Sequence, residues 1–293
     1  LFSMPNAHPM AFKGGTSLSK IFDAIYRFSE DVDITLDYRA FGEDFDPFHA
    51  EVSRTALRKF SARLKDYVRA YSHDVVLPYL RNKLAEQPTL DAFNIELSDD
   101  GEKLWIHYPS AIEINSDYIQ SSVLIEFGGR NVIDPNQRHQ ISPYIAEVVG
   151  DLEFPSAEVV VLSPERTFWE KATLIHVACN KDKFKSDINR LSRHWYDLVM
   201  LSRHPCGQRA VENRTLLTDV IKLKEIFFNA SYANYRNCLT GGMRLLPDPE
   251  LLIALQSDYE KMRDAGMLYE KPPSFKELID ELGILEDAIN AVG

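Results

Sequence analysis

The sequence predicts an α+β fold, with a mixed β-sheet in the first half of the chain and mainly α-helices in the second half. Short runs of β-branched and aromatic residues, bounded by Gly, Pro, Asn and Asp, are concentrated before residue 163. After that residue, apolar side chains recur at helical spacing almost to the C-terminus. The chain has 293 residues, of which 45% are hydrophobic, so it is long enough for two modest domains. We place these domains at residues 1–162 and 163–293.

Composition and residue spacing exclude several classes of protein. No apolar run reaches the roughly 20 residues that span a bilayer, and the N-terminus lacks the layout of a signal peptide, so we expect a cytoplasmic protein. The three cysteines are scattered and the eight histidines show no metal-ligand spacing, which argues against a disulfide framework and against a zinc site. Because the formal net charge is −11, a nucleic acid would need a local basic face on this protein.

The first elements of the sheet are predicted from residues 12–34. This stretch reads as a short strand, a turn at Gly14 and Gly15, a helix with apolar side chains at helical spacing over residues 18–25, and a second strand. The two glycines let a ligand approach the backbone closely, and the N–H groups at the start of the helix attract anions such as phosphate. The stretch therefore predicts a phosphate-binding turn.

Acidic side chains on predicted strands are the candidates for a metal site. Asp31 and Asp33 are two residues apart on the second strand, so both point the same way. Glu126 stands in an otherwise apolar strand, and a buried acid needs a partner because an unpaired buried charge is costly. That partner is either a metal shared with the two aspartates or Arg130. Carboxylates beside a phosphate-binding turn are what divalent-metal chemistry on phosphates requires.

A long helix is predicted from about residue 47 to residue 86, with a break before Pro78. One side of this helix, which we call the basic face, carries six positively charged residues. It is either an ordinary solvated surface or a surface for RNA. The basic face consists of Arg54, Arg58, Lys59, Arg63, Lys65 and Arg69.

The remaining elements follow in chain order. Short β-branched and aromatic runs predict strands that complete the mixed sheet, at residues 92–97, 103–108, 121–127 and 158–162. Ser163 can cap a helix and Pro164 suits its first position, which predicts a helix over residues 167–178. Beyond a basic segment at 181–190 and around a turn at Gly241 and Gly242, we expect helices at residues 193–202, 216–228, 247–263 and 275–289.

Two charged residues in the helical half have both an ordinary and a functional interpretation. Lys171 lies near the edge of the apolar face of its helix, where it either covers apolar surface as an exposed charge or reaches a triphosphate. Asp197 either forms an ion pair with Arg193, four residues earlier on the same helix, or takes part in an active site.

A resemblance to a known family emerges from these motifs. Neither a P-loop nor a dinucleotide-binding glycine motif is present. The Gly-Gly turn, the Asp-x-Asp strand and the later strand acid resemble the signature of the polymerase-β-like nucleotidyltransferase superfamily. More closely, five segments in this order resemble the AbiEii-type nucleotidyltransferase toxins of bacterial abortive-infection and toxin–antitoxin systems. They are Lys-Gly-Gly-Thr-Ser-Leu-Ser-Lys, Arg-Phe-Ser-Glu-Asp-Val-Asp-Ile, Val-Leu-Ile-Glu-Phe-Gly-Gly-Arg, Pro-Glu-Arg-Thr-Phe-Trp-Glu-Lys-Ala and Arg-His-Trp-Tyr-Asp-Leu.

The resemblance extends almost to the C-terminus and implies a fold, a reaction and a site. The fold would be a polymerase-β-like nucleotidyltransferase lobe followed by a helical lobe that contributes to the active-site cleft. The reaction would be Mg²⁺-dependent transfer of NMP from an NTP to an RNA acceptor, for tRNA-directed members the 3′ end, which blocks translation. Such proteins usually have a further helix upstream of the point at which this chain begins.

The resemblance also assigns roles to residues. Asp31 and Asp33 would ligate one or two magnesium ions, Lys171 would bind phosphates, and Asp197 would have a catalytic or orienting role. Glu126 occupies the place of the superfamily's third carboxylate. The nucleotide would be held by Gly14, Gly15, Thr16, Ser17, Lys20 and Ser29.

The expected partners are an NTP, a tRNA or other RNA acceptor, and a cognate winged-helix antitoxin. Two alternatives stay open at the level of sequence. A small-molecule nucleotidyltransferase would use the same acids but would need an acidic pocket for a cationic acceptor, and the basic segment 181–190 argues mildly against it. A binding pseudoenzyme would have no use for the acids and the lysine that the chain retains.

Overall fold

The computed structural model describes residues 1–86, 93–109, 122–181 and 188–291. The chain forms two compact units. The sheet unit comprises Leu1–Ile21, Glu30–Asp46 and Glu51–Ser163, and the helical unit comprises Phe22–Ser29, Pro47–Ala50 and Pro164–Gly293. The helical unit thus includes two short segments from the first half of the chain. The continuous division into domains at residues 162 and 163 stays a prediction.

The described strands of the sheet unit form one mixed sheet, which confirms the predicted fold class. The strands are β1 (Met10–Lys13), β2 (Asp31–Asp37), β3 (Asn94–Leu97), β4 (Lys103–His107), β5 (Ser122–Asn131), β6 (Asn136–Ile141) and β7 (Ala157–Leu162). Their order in the seven-stranded sheet is β3-β4-β5-β2-β1-β7-β6. Strand β1 is parallel to β7, and β2 is parallel to β5, whereas the other neighbours are antiparallel.

Side chains alternate along β2 and so divide the central sheet into two faces. On the apolar face, Ile34 packs in a buried core with Phe12 and Phe127. On the opposite face, which we call the acidic face, lie Asp31 and Asp33. The alternation that the sequence predicted is therefore what separates the core from the carboxylates.

Helix α1 (Gly14–Lys20) is shorter than the sequence predicted. It ends at a C-cap formed by Ile21, and Asp23 adopts a left-handed backbone conformation with φ of +48°. The prediction that the helix continues over residues 21–25 was wrong, because residues 22–29 belong to the helical unit instead. Local apolar spacing could not reveal that Ala24 and Ile25 would be buried there.

The long helix of the first half is broken before Pro78 as predicted, but it begins at Arg54 and not at about residue 47. Helix α2 (Arg54–Tyr71) buries apolar side chains that are spaced one helical turn apart along one side. A π-helical turn, Ser72–Val76, connects it to α3 (Leu77–Ala85). All six residues of the basic face are exposed. Two of them are partly neutralised, since Arg63 binds Glu43 at 2.7 Å and Lys65 lies 3.9 Å from Glu102.

Four of the strands after residue 90 correspond to predicted ones, and one was missed. The first residues of the predicted strands at 92–97 and 121–127 lie outside the described residues. Strand β6 was not predicted because its sequence, Asn-Gln-Arg-His-Gln-Ile, has a single apolar residue. Its position at the edge of the sheet, paired with β7, explains this composition, because polar side chains protect an edge strand from further pairing.

The helical unit contains six helices within the described residues. They are α4 (Pro164–Cys179), α5 (Ser192–Arg203), α6 (Pro205–Glu212), α7 (Arg214–Phe227), α8 (Pro249–Asp264) and α9 (Phe275–Ala291). Five correspond to predicted helices, whereas α6 was missed. Residues 182–187 of the predicted basic segment lie outside the described part of the chain. Among the described helices, none has the length and apolar character needed to cross a lipid bilayer.

A short antiparallel ladder ties residues 26–28 into the helical unit. The backbone N–H of Phe28 donates to the carbonyl of Met267 at 2.7 Å, and the N–H of Tyr269 donates to the carbonyl of Tyr26 at 2.9 Å. Arg27 lies opposite Leu268 in this ladder. The segment that precedes β2 in sequence is thus held by the C-terminal part of the helical unit.

Candidate active site

The turn between β1 and α1 brings the backbone directly against a carboxylate. Gly14 is the first residue of α1 and has a φ of +76°, a left-handed conformation that favours glycine. A Cβ atom at this position would lie 1.8 Å from Oδ2 of Asp33. Any other residue would therefore displace that carboxylate. The sequence predicted that a ligand would approach the backbone closely at this glycine. In the structure, the group that does so is the carboxylate of Asp33.

The three predicted carboxylates lie on two neighbouring strands. Asp31 and Asp33 are on the acidic face of β2, and Asp33 is the register partner of Glu126 on the parallel strand β5. Side chains of register partners project from the same face as close neighbours. Glu126 is not the lone buried acid that was expected, since its side chain is 34% exposed and binds the ammonium of Lys103 at 3.0 Å.

Two lysines that sequence reasoning missed flank these acids. Lys13 on β1 is the register partner of Asp33, and Lys103 on β4 is the register partner of Glu126. The order Lys13, Asp33, Glu126, Lys103 therefore runs across four strands. The hydrogen bond to Glu126 raises the pKa of Lys103. The only sequence signal for Lys13 was its place directly before the two glycines.

The aspartates offer oxygen donors that fit a magnesium ion. Mg²⁺ is usually bound by one or two carboxylates together with substrate phosphates and water, rather than by a complete cage of protein ligands. In the described part of the chain, no three His, Cys, Asp or Glu side chains are gathered into such a cage. Asp31 and Asp33, on one strand face beside a glycine turn, therefore fit an ion that arrives with a nucleotide.

Residues 15–17 at the start of α1 support the turn. Gly15 and Ser17 are buried. The hydroxyl of Ser17 donates to the carbonyl of Gly14 at 2.9 Å, and the hydroxyl of Thr16 donates to the backbone carbonyl of Asp31 at 2.5 Å. These two hydroxyls fix the glycine turn and connect it to β2.

Lys20 is directed away from the acidic face. Its ammonium lies 3.1 Å from Oε1 of Glu147 and 3.6 Å from the ring centroid of Tyr144. Lys20 also lines a cavity of about 460 Å³ together with Val32 and Ile34. Because Val32 and Ile34 alternate with the aspartates along β2, this cavity lies on the apolar face of the sheet.

In the helical unit, the two residues predicted for the site touch each other. The ammonium of Lys171 on α4 lies 2.8 Å from Oδ2 of Asp197 on α5. Both side chains are buried, so the interpretation of Lys171 as an exposed surface charge was wrong. Sequence spacing suggested Arg193 as a partner of Asp197. In the structure, both oxygens of the Asp197 carboxylate are bound by residues more distant in sequence, Lys171 and one further cation.

The second cation at Asp197 is Arg27, 170 residues away in sequence. Its Nε donates to Oδ1 at 2.7 Å and its Nη2 donates to Oδ2 at 2.9 Å, which is the bidentate geometry of a strong ion pair. Arg27 was not predicted, although it lies only four residues before Asp31. Lys171, Asp197 and Arg27 form what we call the buried ion cluster.

Burial and charge act in opposite directions in the buried ion cluster. Burial alone would raise the pKa of Asp197, but Arg27 and Lys171 outweigh it and hold the pKa of this carboxyl well below its usual range. Burial lowers the pKa of Lys171, and the nearby guanidinium of Arg27 adds to this effect against the pull of Asp197. One carboxylate is thus shared by two buried cations.

Ser29 is the last residue of the segment 22–29, which belongs to the helical unit. It is only partly exposed. The motif that was read as one unit in the sequence is therefore divided, with Arg27 and Ser29 in the helical unit and Asp31 and Asp33 in the sheet unit.

His194 is a further residue near the buried ion cluster that sequence reasoning missed. Its Nδ1 atom is shielded from solvent and makes no hydrogen bond with the described residues. Burial, followed by the positive charges of Lys171 and Arg193, holds the pKa of His194 well below its ordinary value. The ring is therefore neutral near pH 7.

We expect His194 to make the protein less stable in mild acid. The unfolded chain takes up a proton on this side chain below about pH 6.5 while the folded protein does not, so the stability present above that pH is lost as the pH falls. The slope is about 1.4 kcal/mol per pH unit for one proton. Urea unfolding at a series of pH values measures it. In His194→Gln, the slope of unfolding free energy against pH should fall by the amount that corresponds to about one proton. An unchanged slope would contradict the conclusion that His194 is neutral in the folded protein.

Comparison with known proteins adds a finding that covers both units. A family model described as nucleotidyl transferase AbiEii toxin, type IV TA system, matches residues 1–281. None of the curated protein sequences compared with the chain matches it significantly.

Proposed function

The chain belongs to the AbiEii family of nucleotidyl transferase toxins of type IV toxin–antitoxin systems, and from this premise we propose that it transfers NMP from an NTP to the 3′ end of tRNA. Nucleotidyltransferase activity follows from membership of the family. The acceptor, the use of magnesium and the resulting block of translation are the parts that we propose.

The observation that carries the proposal is the contact between Gly14 and the carboxylate of Asp33. It joins the glycine turn to the strand that bears both aspartates, so the triphosphate of a nucleotide approaching this turn would meet Asp31 and Asp33. Bound there, a magnesium ion would neutralise phosphate charge and lower the pKa of an attacking hydroxyl. These aspartates would be its ligands.

The proposed reaction is attack by the terminal hydroxyl of the acceptor on the α-phosphorus of the NTP. A P–O bond to the acceptor forms, the bond to the β-phosphate breaks, and pyrophosphate leaves. Glu126, the neighbour of Asp33 on the next strand, would orient the hydroxyl and take its proton. Lys13, on the other side of Asp33, would attract the phosphates.

The buried ion cluster would supply the second set of groups. We assign Lys171 to the phosphates that carry negative charge as pyrophosphate leaves. Asp197 and Arg27 would act as positioning residues, since Asp197 binds both cations and so fixes the ammonium of Lys171. We keep Ser29 in the proposed site because it lies between Arg27 and Asp31 in the sequence motif.

An RNA acceptor is supported by the exposed basic face of α2, which offers positive charge for phosphates in a protein with a net charge of −11. A tRNA extended at its 3′ end could not be aminoacylated, which would stop translation. In this setting the protein would act in the cytoplasm and be opposed by an antitoxin, which we propose to be a winged-helix protein.

The test is incubation of the purified protein with Mg²⁺, total tRNA and each α-labelled NTP in turn. Label should appear on RNA with at least one NTP, and EDTA should prevent the transfer until excess Mg²⁺ is restored. Asp31→Ala and Asp33→Ala should not label RNA. Equal labelling by all three proteins would contradict the assignment of these residues.

Label transfer and a calorimetric measurement of nucleotide binding together separate the alternatives. Label found only on added small cationic acceptors would indicate a small-molecule nucleotidyltransferase. Binding of Mg-NTP in a calorimeter, without turnover on any acceptor, would indicate a pseudoenzyme.

Gly14→Ala should reduce activity much more than stability. The added Cβ would lie 1.8 Å from Oδ2 and 2.7 Å from Cγ of Asp33, so the carboxylate must leave its place. The three nearest atoms all belong to this one side chain and none to the backbone, so we expect the fold to be kept. We expect about 1 kcal/mol of lost stability from the left-handed backbone and about a hundredfold lower kcat, equivalent to about 3 kcal/mol.

Gly42→Ala is the matched control for this change. Gly42 has a similar φ of +74°, but a Cβ there would meet nothing within 4 Å. It should therefore lose a similar amount of stability and keep its kcat. The assignment of Gly14 would be wrong if both variants had the same kcat.

A further inference from the structure

A second cavity, of about 380 Å³, lies within the helical unit. Its size falls within the range of about 300 to 1,000 Å³ that is usual for small-ligand sites. Three tyrosines line it, namely Tyr26, Tyr196 and Tyr269, together with prolines and charged residues. None of the roles assigned above uses this cavity.

The ladder between residues 26–28 and 267–269 sets two of these tyrosines side by side. Because Arg27 lies opposite Leu268, Tyr26 and Tyr269 are opposite each other, and their side chains project from the same side of the ladder. Each tyrosine is 42% exposed. Both tyrosines line the cavity, so two aromatic side chains on one side of the ladder form part of its wall.

The charged residues in the walls of the cavity balance one another. Arg203 and Lys271 are matched in number by Asp23 and Glu270. Arg203 is moreover held by Glu281, to which its Nε donates at 2.8 Å. A triphosphate needs an excess of positive charge, which this lining does not provide. An uncharged aromatic group suits it better.

His204 adds a directional group to the wall. Its Nδ1 accepts a hydrogen bond from the backbone N–H of Cys206 at 3.3 Å, so in the neutral ring the proton is on Nε2. Aromatic faces combined with a few fixed polar groups are what proteins use to hold unstacked bases of single-stranded RNA.

The cavity borders the buried ion cluster along two stretches of the chain. Alternation along the ladder directs Tyr26 to the cavity and Arg27 to Asp197. The hydroxyl of Tyr196, the residue before Asp197, donates to the carbonyl of Tyr26 at 3.1 Å. A group bound in the cavity would thus be close to residues assigned to the reaction.

We propose that this cavity binds an unstacked nucleobase of the single-stranded end of the RNA acceptor, stacked on Tyr26 and Tyr269. The proposal rests on the proposed function, because it gives the RNA substrate a second point of contact. Stacking accepts every base, so the contact would position the RNA end without selecting its sequence.

The test is fluorescence anisotropy with a short fluorescein-labelled single-stranded RNA. Tyr269→Leu keeps apolar volume but removes the ring, so binding should weaken about tenfold. Tyr269→Phe keeps the ring and should bind almost as the wild type does. Tyr26→Leu provides a second, independent loss on the facing strand. Tyr232→Leu is the control, because Tyr232 is similarly exposed at 37% but does not line the cavity.

Steady-state kinetics identifies the occupant. In Tyr269→Leu and Tyr26→Leu, the KM for RNA should rise while the KM for the NTP stays the same. A rise in the KM for the NTP alone would overturn the proposal, as would equal RNA binding by the Leu and Phe variants. If the wild type labels no RNA at all, the proposed function fails. The anisotropy comparison would still decide whether the cavity binds a base.

Discussion

Asp31→Asn and Asp33→Asn should each lower kcat by about a thousandfold or more while leaving the protein folded. Each change replaces a carboxylate by an amide of nearly the same shape on the acidic face of β2, so packing is preserved but a negative charge is lost. A loss of this size is about 4 kcal/mol of transition-state stabilisation, as expected when a metal ligand is removed. Steady-state label transfer and thermal unfolding measure the two effects.

Asp37→Asn is the matched control, since it makes the same change at the far end of the same strand. The buried carboxylate of Asp37 accepts from the backbone N–H of Arg39 at 3.0 Å and from its Nε at 2.9 Å. This variant should lose about 2 kcal/mol of stability, because a charge-assisted contact is weakened, yet keep its kcat. If Asp37→Asn were as inactive as Asp33→Asn, activity would depend on the strand as a whole and not on the two acids.

Asp197→Asn should destabilise the protein by about 3 to 5 kcal/mol. The change leaves Lys171 and Arg27 buried without the carboxylate that binds both of them. Urea unfolding measures the loss. A change of less than about 1 kcal/mol, as found for exposed ion pairs, would contradict the buried arrangement.

A triple variant separates the structural and the catalytic roles of the buried ion cluster. Arg27→Met, Lys171→Met and Asp197→Leu together replace the charges by apolar groups of similar size. Such a replacement is often neutral or stabilising by about 1 to 4 kcal/mol relative to the ion pairs. We expect stability near that of the wild type but no label transfer. A stable and active triple variant would show that the cluster serves only the fold.

The sequence predicted the elements whose signals are local. Alternation along β2 placed Asp31 and Asp33 on one face, and the positions of Pro164 and Pro78 marked the start of one helix and the break in another. These predictions succeeded because periodicity and backbone chemistry act over a few residues.

Contacts between distant residues could not be predicted in this way. Arg27 and Asp197 are 170 residues apart, so no spacing rule connects them. The contact between Lys103 and Glu126 could not be predicted for the same reason, because it depends on the register of two strands. Strand β6 exists through its pairing with β7 and not through its own composition.

The end of α1 shows a second kind of limit. Apolar spacing over residues 18–25 favoured one continuous helix, yet its second half is buried in a different unit. Helical periodicity reports which side chains will be buried but not what they will be buried against. The direction of Lys20 was likewise decided by a tertiary contact, the one between its ammonium and Glu147.

The most direct test of RNA nucleotidyl transfer is the mass of the tRNA after reaction. Purified protein, Mg²⁺ and an NTP are incubated with tRNA that ends either in a normal ribose or in a 3′-deoxyribose. The amount of pyrophosphate released is measured alongside the mass of the tRNA. The mass of the normal tRNA should increase by whole nucleotide units, with one pyrophosphate released for each, and the 3′-deoxy tRNA should not change. Unchanged mass of the normal tRNA with every NTP, or equal extension of both tRNAs, would contradict transfer to the 3′ hydroxyl.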